Sequence, residues 1–360
     1  MRIVAHNGAR IWGGAERATV SLLQGLGERG HEVLLLCNDE VVATQASSRG
    51  VRSEICVIGG DIMLHHSFRL ARVLRKSGPD AFIVGTYKKL FLATLGARMA
   101  GVPRVVGRVG LESDTPRSLK YTFALRHWTD GIAVNARRMM SAFAGLDGFG
   151  ADKVRLIWNS VPPSLDANSS AKVRREFGLA SGDFVIGTVA RLARQKRMGR
   201  LIRVVSMLPE VKCIIAGDGT ARAELERLAR ELHVDDRVQF LGNRDDVRDV
   251  LDALDVFILV SDSEGMSNAM LEAMSRGVPV VTTDVSGAED ALAANDVYPE
   301  AGIITGFDEI SIADAVRKLR DDSDLRASLG RAARERAVNQ FARDAMLSSW
   351  EEFLAPRRPK

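Results

Sequence analysis

The sequence has little of what would define several other classes of protein. Its 360 residues contain only three cysteines, Cys37, Cys56 and Cys213, and these are widely spaced. That number and spacing exclude a disulfide framework and a zinc knuckle, and they suit a reducing cytoplasm. No apolar run approaches the roughly 18 residues of a membrane span. A strand pattern begins at Arg2, so we also expect no signal peptide.

Aromatic residues are scarce, and charge is distributed unevenly. The aromatic content is 6%, and we find no recognisable nucleic-acid-binding module, so nucleic acid is a poor candidate partner. Residues 1–165 contain 22 Lys and Arg against 13 Asp and Glu, and the remainder contains 28 against 33. The net charges of +9 and −5 predict that the first half contacts an anionic partner. An anionic membrane surface or a phosphorylated lipid fits this better than nucleic acid.

Short apolar runs alternate with helical patterns along the chain, which is typical of parallel βαβ units. Strands are predicted at 2–6, 33–37, 81–84, 104–109, 132–134, 154–157, 184–190, 211–216, 238–241, 256–260 and 279–282. The Pro- and Ser-containing stretch 159–171 interrupts the alternation and predicts a linker. The sequence therefore predicts two α/β domains, 1–165 and 166–340, followed by a C-terminal helix in 341–360 that packs back on the first domain.

The most informative stretch runs from Asp255 to Glu289. An apolar run, 256–260, predicts a buried strand, and a polar loop with Glu264 follows it. Ser267 or Asn268 can then cap a helix that Gly277 ends. Four apolar residues share one face of this helix and are expected in the core: Ala269, Met270, Ala273 and Met274. Glu272 lies off that face. Glu264 is therefore expected at the carboxyl end of a strand, which is the edge where open parallel sheets bind ligands. The start of the following helix also offers free N–H groups there.

Glu264 and Glu272 are separated too far to act as a hydrolytic pair. Eight residues of helix span roughly 12 Å, whereas paired glycosidase carboxylates are about 5 to 9.5 Å apart. The spacing indicates that the two acids contact different parts of one long ligand.

The whole stretch resembles the donor-binding motif of the retaining, nucleotide-sugar-dependent family 4 glycosyltransferases. The resemblance rests on Glu264-Gly265, the seven residues 265–271, Glu272-Ala273-Met274 and the segment 277–281, which reads Gly-Val-Pro-Val-Val. It implies a GT-B fold, which is α/β with two doubly wound Rossmann-like domains facing across a cleft. It also implies transfer of a sugar from a nucleotide-diphosphate sugar to a glycan or lipid-linked acceptor, as in lipopolysaccharide or polysaccharide biosynthesis. Neither a metal ion nor a cofactor beyond the donor is expected, and no His, Cys, Asp or Glu spacing suggests a metal site.

A diphosphate needs cations and oriented N–H groups where charge develops as the sugar leaves. Arg191 ends the first strand of the second half and Lys196 lies five residues on, and together they resemble the family's phosphate clamp. The family usually has Gly after this Lys, whereas this chain has Arg197. Gly13 and Gly14 resemble the family's glycine loop, which faces the donor.

The resemblance implies roles for further residues. Glu264 would hold hydroxyls of the donor sugar, and Glu272 would hold both ribose hydroxyls. The remaining donor contacts would come from the N–H groups of Met266, Ser267 and Asn268, from the turn of Gly217 and Gly219, and, for the nucleobase, from Leu241 and Arg244.

The first half departs from the family pattern at one position. Many members have a His after the strand that here runs from Arg104 to Val109, but no His follows it in this chain, and Arg108 is the nearest polar residue. Either Arg108 takes over part of the site or the polar contact is absent. The other acceptor-side candidates are His6, Lys88 and Lys89. His6 could equally be an ordinary histidine at a strand end.

Two other functions stay open at this stage. One is a sugar-nucleotide epimerase or hydrolase of the same fold, and the other is a non-enzymatic two-lobed protein that closes on a small ligand. Under the main hypothesis we expect a cytoplasmic protein that contacts the inner face of the membrane peripherally. The sequence does not identify the sugar, the nucleobase, the acceptor, the linkage or the oligomeric state.

Overall fold

The computed structural model describes residues 1–60, 63–114, 118–144, 146, 149–161 and 170–355. The chain divides into two compact units. The first comprises Met1–Asn159 and the segment from Asp344 onward, and the second comprises Ser160–Arg343. Most of the predicted linker, 159–171, lies outside the described residues.

The described part of the first unit forms a seven-stranded parallel sheet with helices around it. The strands are β1 (Arg2–Asn7), β2 (Glu32–Cys37), β3 (Ser53–Ile55), β4 (Ala81–Val84), β5 (Arg104–Val109), β6 (Gly131–Val134) and β7 (Val154–Leu156). The helices are α1 (Gly14–Glu28), α2 (Glu40–Ser47), α3 (His65–Ser77), α4 (Leu90–Met99), α5 (Leu119–Trp128) and α6 (Arg137–Ala144). The strand order is β3-β2-β1-β4-β5-β6-β7, so the chain changes direction across the sheet between β1 and β4.

The described part of the second unit forms a six-stranded parallel sheet. Its strands are β8 (Phe184–Val189), β9 (Val211–Ala216), β10 (Val238–Gly242), β11 (Val256–Leu259), β12 (Val280–Thr283) and β13 (Gly302–Thr305). Its helices are α7 (Ser170–Glu176), α8 (Met198–Ser206), α9 (Arg222–Glu231), α10 (Val247–Asp252), α11 (Asn268–Ser275), α12 (Ala288–Leu292), α13 (Glu309–Asp321) and α14 (Ser323–Gln340). The strand order is β10-β9-β8-β11-β12-β13, so the change of direction falls between β8 and β11.

The last helix, α15 (Arg343–Leu354), packs within the first unit. Its side chains Trp350 and Phe353 are buried in the core beside β1 and α1. Arg104 donates to the Phe353 carbonyl at 2.8 and 3.1 Å. Glu351 accepts hydrogen bonds from His31 at 2.9 Å and Arg29 at 2.8 Å, and these hold its pKa below the usual value. The apolar face and these polar contacts together attach this helix to the first unit.

The central strands of both sheets are the continuous apolar runs of the sequence, and each is buried on both faces. Two strands were not predicted. The three-residue β3 lies at the edge of its sheet and exposes Glu54 and Ile55, so it has no apolar run. The edge strand β13 is only partly buried after Gly302. Pairing with a neighbouring strand, rather than local pattern, defines both.

Candidate active site

The change of direction in the second sheet creates the candidate site. Beyond β8 the chain continues to β9 on one side, and beyond β11 it continues to β12 on the other. Open α/β sheets bind ligands in the crevice that such a change of direction forms at the carboxyl ends of the strands, so the loops after β8 and β11 define the candidate site. A hydrogen bond of 3.1 Å from the Asp262 N–H to the Gln195 carbonyl joins the two loops.

A buried ion pair lies where these loops meet. The Lys196 ammonium contacts Oε1 of Glu264, and their side chains are 17% and 8% exposed. Ser261 donates to the same oxygen at 2.8 Å, and the buried Thr283 hydroxyl donates to the Ser261 carbonyl at 2.8 Å. The sequence did not predict this contact, because it depends on how two loops from different strands meet. The Lys196 ammonium offsets the free-energy cost of burying the charged Glu264 carboxylate. The contact also fixes both side chains in the crevice.

Arg191 is different, because its side chain is exposed. Within the described residues its guanidinium makes no hydrogen bond or ion pair. Lys196 uses one of its three N–H groups on Glu264 and has two left for an anion. A free guanidinium and a partly used ammonium in one loop suit a diphosphate.

Arg197 adopts the left-handed conformation, with φ 50° and ψ 37°. This conformation strains most residues other than glycine, which fits the Gly that the family resembled by the sequence usually has at this position. Here Arg197 contacts Asp262, and Arg200 donates to the same carboxylate at 3.1 Å and to the Val260 carbonyl at 2.6 Å. The arginines thus link the start of α8 to the loop after β11 and offset the local strain.

Gly217 and Gly219 lie against the backbone of the Arg191 loop. A Cβ at Gly217 would be 2.0 Å from the Ala190 carbonyl oxygen, and one at Gly219 would be 2.4 Å from that of Leu192. Leu192 also donates to the Asp218 carbonyl at 2.9 Å. The glycines therefore allow the loop that carries Arg191 to pack directly against the turn after β9.

Replacing Gly219 with alanine should lower the free energy of unfolding by about 1–3 kcal/mol, the range for overpacking. The physical reason is the backbone clash with Leu192, because Gly219 does not have a positive φ. Chemical denaturation of the two proteins measures the loss. Gly182→Ala is the matched control, because a Cβ there meets nothing within 4 Å. Equal stability of the two variants would contradict the packing argument.

The helix α11 begins directly after the Glu264 loop. Ser267 is its N-cap, and the Ser267 hydroxyl accepts from the Met270 N–H at 3.4 Å. Three of the four apolar residues expected in the core are buried, but Ala269 is only partly buried. Leu271 and Ser275 are also buried, so the packed face is wider than the pattern indicated. Asn268 and Glu272 are half-buried, and Met266 is buried.

Gly287 supports this loop and was not singled out in the sequence. Its N–H donates to the Gly265 carbonyl at 3.1 Å, and a Cβ on Gly287 would be 2.5 Å from that oxygen. The only sequence signal was a glycine shortly after β12, at the same sheet edge.

Leu241 lies near the end of β10, the edge strand of the sheet, and Arg244 follows that strand. Leu241 is half-buried. Arg244 donates to Asp246 at 2.7 Å and lies over the Phe177 ring, 5.6 Å from its centre. This pairing raises the pKa of Arg244 and lowers that of Asp246. The guanidinium is thus held by Asp246 and Phe177, and Leu241 supplies an apolar surface nearby in the chain.

The first unit places Gly13 and Gly14 at the start of α1. Gly13 is the N-cap with φ −154°, and its carbonyl accepts from the Arg17 N–H at 3.0 Å. Glu16 lies in the first turn, and a Cβ on Gly13 would be 3.2 Å from a Glu16 carboxylate oxygen. The helix start thus has an acidic side chain beside its two glycines.

Arg108 lies inside the first unit. It donates to the Thr19 hydroxyl at 2.9 Å and to the Asn159 side chain at 3.1 Å. Burial lowers its pKa to about 10, and the Glu16 carboxylate opposes that shift. Arg108 therefore joins β5, α1 and the end of the first unit.

His6 is fully buried at the end of β1. Its Nε2 lies 3.1 Å from the Cys56 carbonyl and 3.2 Å from Oδ1 of Asn38, so Nε2 carries the proton. Burial lowers the pKa of His6 to about 4. In this conformation His6 is not exposed to an acceptor.

The two lysines after β4 differ. Lys89 donates to the Gly59 carbonyl at 2.8 Å, whereas Lys88 is exposed.

The described residues contain no group of three or more His, Cys, Asp or Glu side chains that could hold a metal ion. Of the helices that the structure describes, none combines the length and apolar character that a membrane crossing requires.

Two solved structures share the fold of this chain. HepE of Anabaena, solved in complex with UDP-glucose, has a TM-score of 0.85 and 21% identity over 98% of this chain and 99% of that one. A structure of WaaG, described as a glycosyltransferase involved in lipopolysaccharide biosynthesis, has a TM-score of 0.75 and 17% identity over 98% of each chain. At these identities the likeness establishes the fold, and the prediction of a GT-B fold with two Rossmann-like units is confirmed.

The family follows from the sequence matches. The model described as "Glycosyl transferases group 1" matches residues 169–336, and the model described as "Glycosyltransferase Family 4" matches residues 12–165. The lipopolysaccharide core biosynthesis glycosyltransferase LpsE of Rhizobium meliloti (strain 1021) is 34% identical over 48% of this chain, but the match spans only 50% of LpsE. The chain belongs to the family 4 glycosyltransferases, as the motif around Glu264 and Glu272 predicted.

Proposed function

We propose that this protein is a retaining glycosyltransferase that moves a sugar from a nucleotide-diphosphate sugar to a glycan or lipid-linked acceptor. The observation that carries the proposal is the crevice between β8 and β11. It brings together an exposed Arg191, the Lys196–Glu264 pair and the start of α11, which are the groups that a sugar diphosphate requires.

Each group has a defined task in this reaction. Arg191 and Lys196 bind the diphosphate and stabilise the charge that develops on it. Glu264, fixed by Ser261, holds hydroxyls of the transferred sugar, and Glu272 holds the ribose. The acceptor oxygen bonds to the anomeric carbon while the bond from that carbon to the phosphate oxygen breaks. The leaving phosphate takes the acceptor's proton on the same face, so configuration is retained without an enzyme nucleophile.

The relatives support a uridine nucleotide and an envelope-type acceptor. HepE was solved with UDP-glucose, and LpsE is named for lipopolysaccharide core biosynthesis. UDP-sugars are therefore the first donors to test, with lipopolysaccharide core or lipid-linked glycans as acceptors.

Incubation with a panel of nucleotide sugars, with and without such acceptors, tests the proposal. Transfer of label to an acceptor is the expected result. Turnover that is the same without acceptor would favour an epimerase or hydrolase, and binding without turnover under any condition would favour the two-lobed binding protein.

We also propose that the first unit contacts an anionic membrane surface. Helix α3 buries Leu70 and Leu74 and exposes a basic face that includes Arg69 and Arg72. Phe68, on the same helix, is 61% exposed. Arginines beside an exposed aromatic side chain suit a layer of anionic lipid headgroups, where each basic residue is worth about 1 kcal/mol.

Reversing both charges, Arg69→Glu with Arg72→Glu, should weaken binding to anionic liposomes by at least about 30-fold, because about 2 kcal/mol of attraction is lost and the new carboxylates are also repelled. Co-sedimentation measures the change. Binding by the parent should also disappear at about 1 M salt, where screening shortens to about 3 Å.

The matched control reverses Arg331 and Arg334, which have the same spacing on the exposed face of α14 in the second unit. This variant should bind like the parent. Equal binding of the parent to neutral and anionic liposomes, or binding that survives high salt, would contradict an electrostatic contact.

A further inference from the structure

The loop between β8 and α8, which carries Lys196, is held at both of its ends. At its start, the Leu192 N–H donates to the Asp218 carbonyl at 2.9 Å, and the Leu192 carbonyl accepts from the Ala221 N–H at 3.1 Å. At its end, Arg197 turns the chain into α8. Backbone hydrogen bonds thus fix the start of the loop, whereas the position of its end depends on what holds Arg197.

Arg197 has a backbone conformation that costs free energy. Its φ of 50° and ψ of 37° are left-handed, and among the described residues other than glycine His233 is the one other with a positive φ. In this conformation a side chain crowds its own backbone, whereas glycine adopts the conformation freely. An arginine at this position therefore needs another interaction to hold the backbone in place.

Asp262, in the loop after β11, supplies that interaction. One oxygen of its carboxylate accepts from Arg197, and the other accepts from Arg200 at 3.1 Å. The Asp262 N–H donates to the Gln195 carbonyl at 3.1 Å, and Arg200 also donates to the Val260 carbonyl at 2.6 Å. Asp262 thus contacts the end of the loop through its backbone and through both of its carboxylate oxygens.

These contacts lie next to the charged groups of the candidate site. Lys196 lies between Gln195 and Arg197, which both contact Asp262, and Glu264 is two residues beyond Asp262. The Arg197 and Asp262 side chains are 49% and 37% exposed, so their ion pair contributes little to the stability of the whole protein. Its local effect on position is larger, because moving a functional group by about 1 Å can cost about 100-fold in rate.

We propose that Asp262 is a positioning residue for the diphosphate site. By holding Arg197 in the left-handed conformation, it keeps Lys196 where a diphosphate binds. The inference rests on the proposed function, because the diphosphate is the ligand assigned to this loop. Asp262 thereby compensates for the absence of glycine after Lys196, and it does so by charge rather than by conformational freedom.

Two substitutions at position 197 test this role by calorimetric titration of the full chain. The probe is whichever of UDP, GDP and ADP binds the parent most tightly. Arg197→Ala keeps the strain and removes the contact with Asp262, so it should weaken probe binding by about tenfold. Arg197→Gly removes the strain together with the contact, so its affinity should stay within about threefold of the parent's. A simple loss of positive charge would instead weaken both variants equally.

Asp262→Asn is informative because charge and position predict opposite signs. The substitution removes a negative charge near the site, so electrostatic attraction alone would make an anion bind more tightly. If Asp262 positions the loop, the probe should bind about tenfold more weakly, with a nearly unchanged melting temperature because the ion pair is half-exposed. Combined with Arg197→Gly, Asp262→Asn should cost about threefold or less, since glycine needs no partner.

The control pair is Arg227→Ala and Arg227→Gly, on the exposed face of α9, where the backbone is helical. Both should bind the probe like the parent, and glycine should lower the melting temperature more than alanine does. Equal affinities of Arg197→Ala and Arg197→Gly, or tighter binding by Asp262→Asn, would overturn the positioning role while the parent still binds the probe. A parent that bound none of the three diphosphates would mean that the proposed function had failed, and this inference with it.

Discussion

Replacing Lys196 with alanine should lower kcat/KM for sugar transfer by about 30- to 1,000-fold, a loss of about 2–4 kcal/mol of transition-state stabilisation. The ammonium is fixed by Glu264 at the edge of the crevice, where the departing diphosphate gains charge. Arg191→Ala should have an effect of the same size. Steady-state kinetics with the best nucleotide sugar measures both.

Two controls make this result specific. Arg194 is an exposed arginine of the same loop, and Arg194→Ala should change kcat/KM by less than about tenfold. Lys196→Ala also leaves Glu264 without its cation. The double variant, Lys196→Ala with Glu264→Gln, therefore shows how far the losses of kcat/KM from the two single substitutions are coupled. Because the side chains are in contact, we expect the two losses not to add. An effect below about tenfold for Lys196 or Arg191 alone would place that residue outside the phosphate site.

Glu272→Ala should weaken binding of the nucleoside diphosphate by about 10- to 150-fold, whereas Glu264→Ala should mainly lower kcat. The first figure corresponds to about 1.5–3 kcal/mol for hydrogen bonds to a charged group. The reason for the difference is position. Glu264 is held inside the crevice by Lys196 and Ser261. Glu272 lies half-buried in α11, the helix that follows the Glu264 loop.

Isothermal titration calorimetry of the diphosphate, beside kinetics with the intact donor, separates the two effects. Glu272→Gln is the conservative control and should bind with intermediate affinity, since it keeps the shape and loses the charge. If Glu272→Ala bound the nucleoside diphosphate as tightly as the parent, the assignment of Glu272 to the ribose would be wrong.

The sequence predicted best where one short stretch determines its own structure. The strand β11, a cap at Ser267 or Asn268 and the helix α11 were predicted from an apolar run, a capping residue and helical spacing. The structure contains the strand and the helix, with Ser267 as the cap. Local rules suffice there, because periodicity and capping act within a few residues.

The sequence predicted least where distant loops meet. The contact between Lys196 and Glu264 joins residues 68 positions apart, and no pattern in either loop encodes it. The left-handed backbone at Arg197 was unexpected for the same reason, because it is held by Asp262 from the other loop. The support of Gly265 by Gly287 is likewise a product of packing. Such features need the tertiary structure.

Calorimetric titration of a panel of nucleotide sugars into the purified parent protein tests the central claim most directly. The claim is that the crevice between β8 and β11 binds a nucleotide-diphosphate sugar. The account predicts that at least one member of the panel, with UDP-sugars first, binds with a one-to-one stoichiometry and is displaced by its nucleoside diphosphate. A folded protein that binds no member of the panel would contradict it.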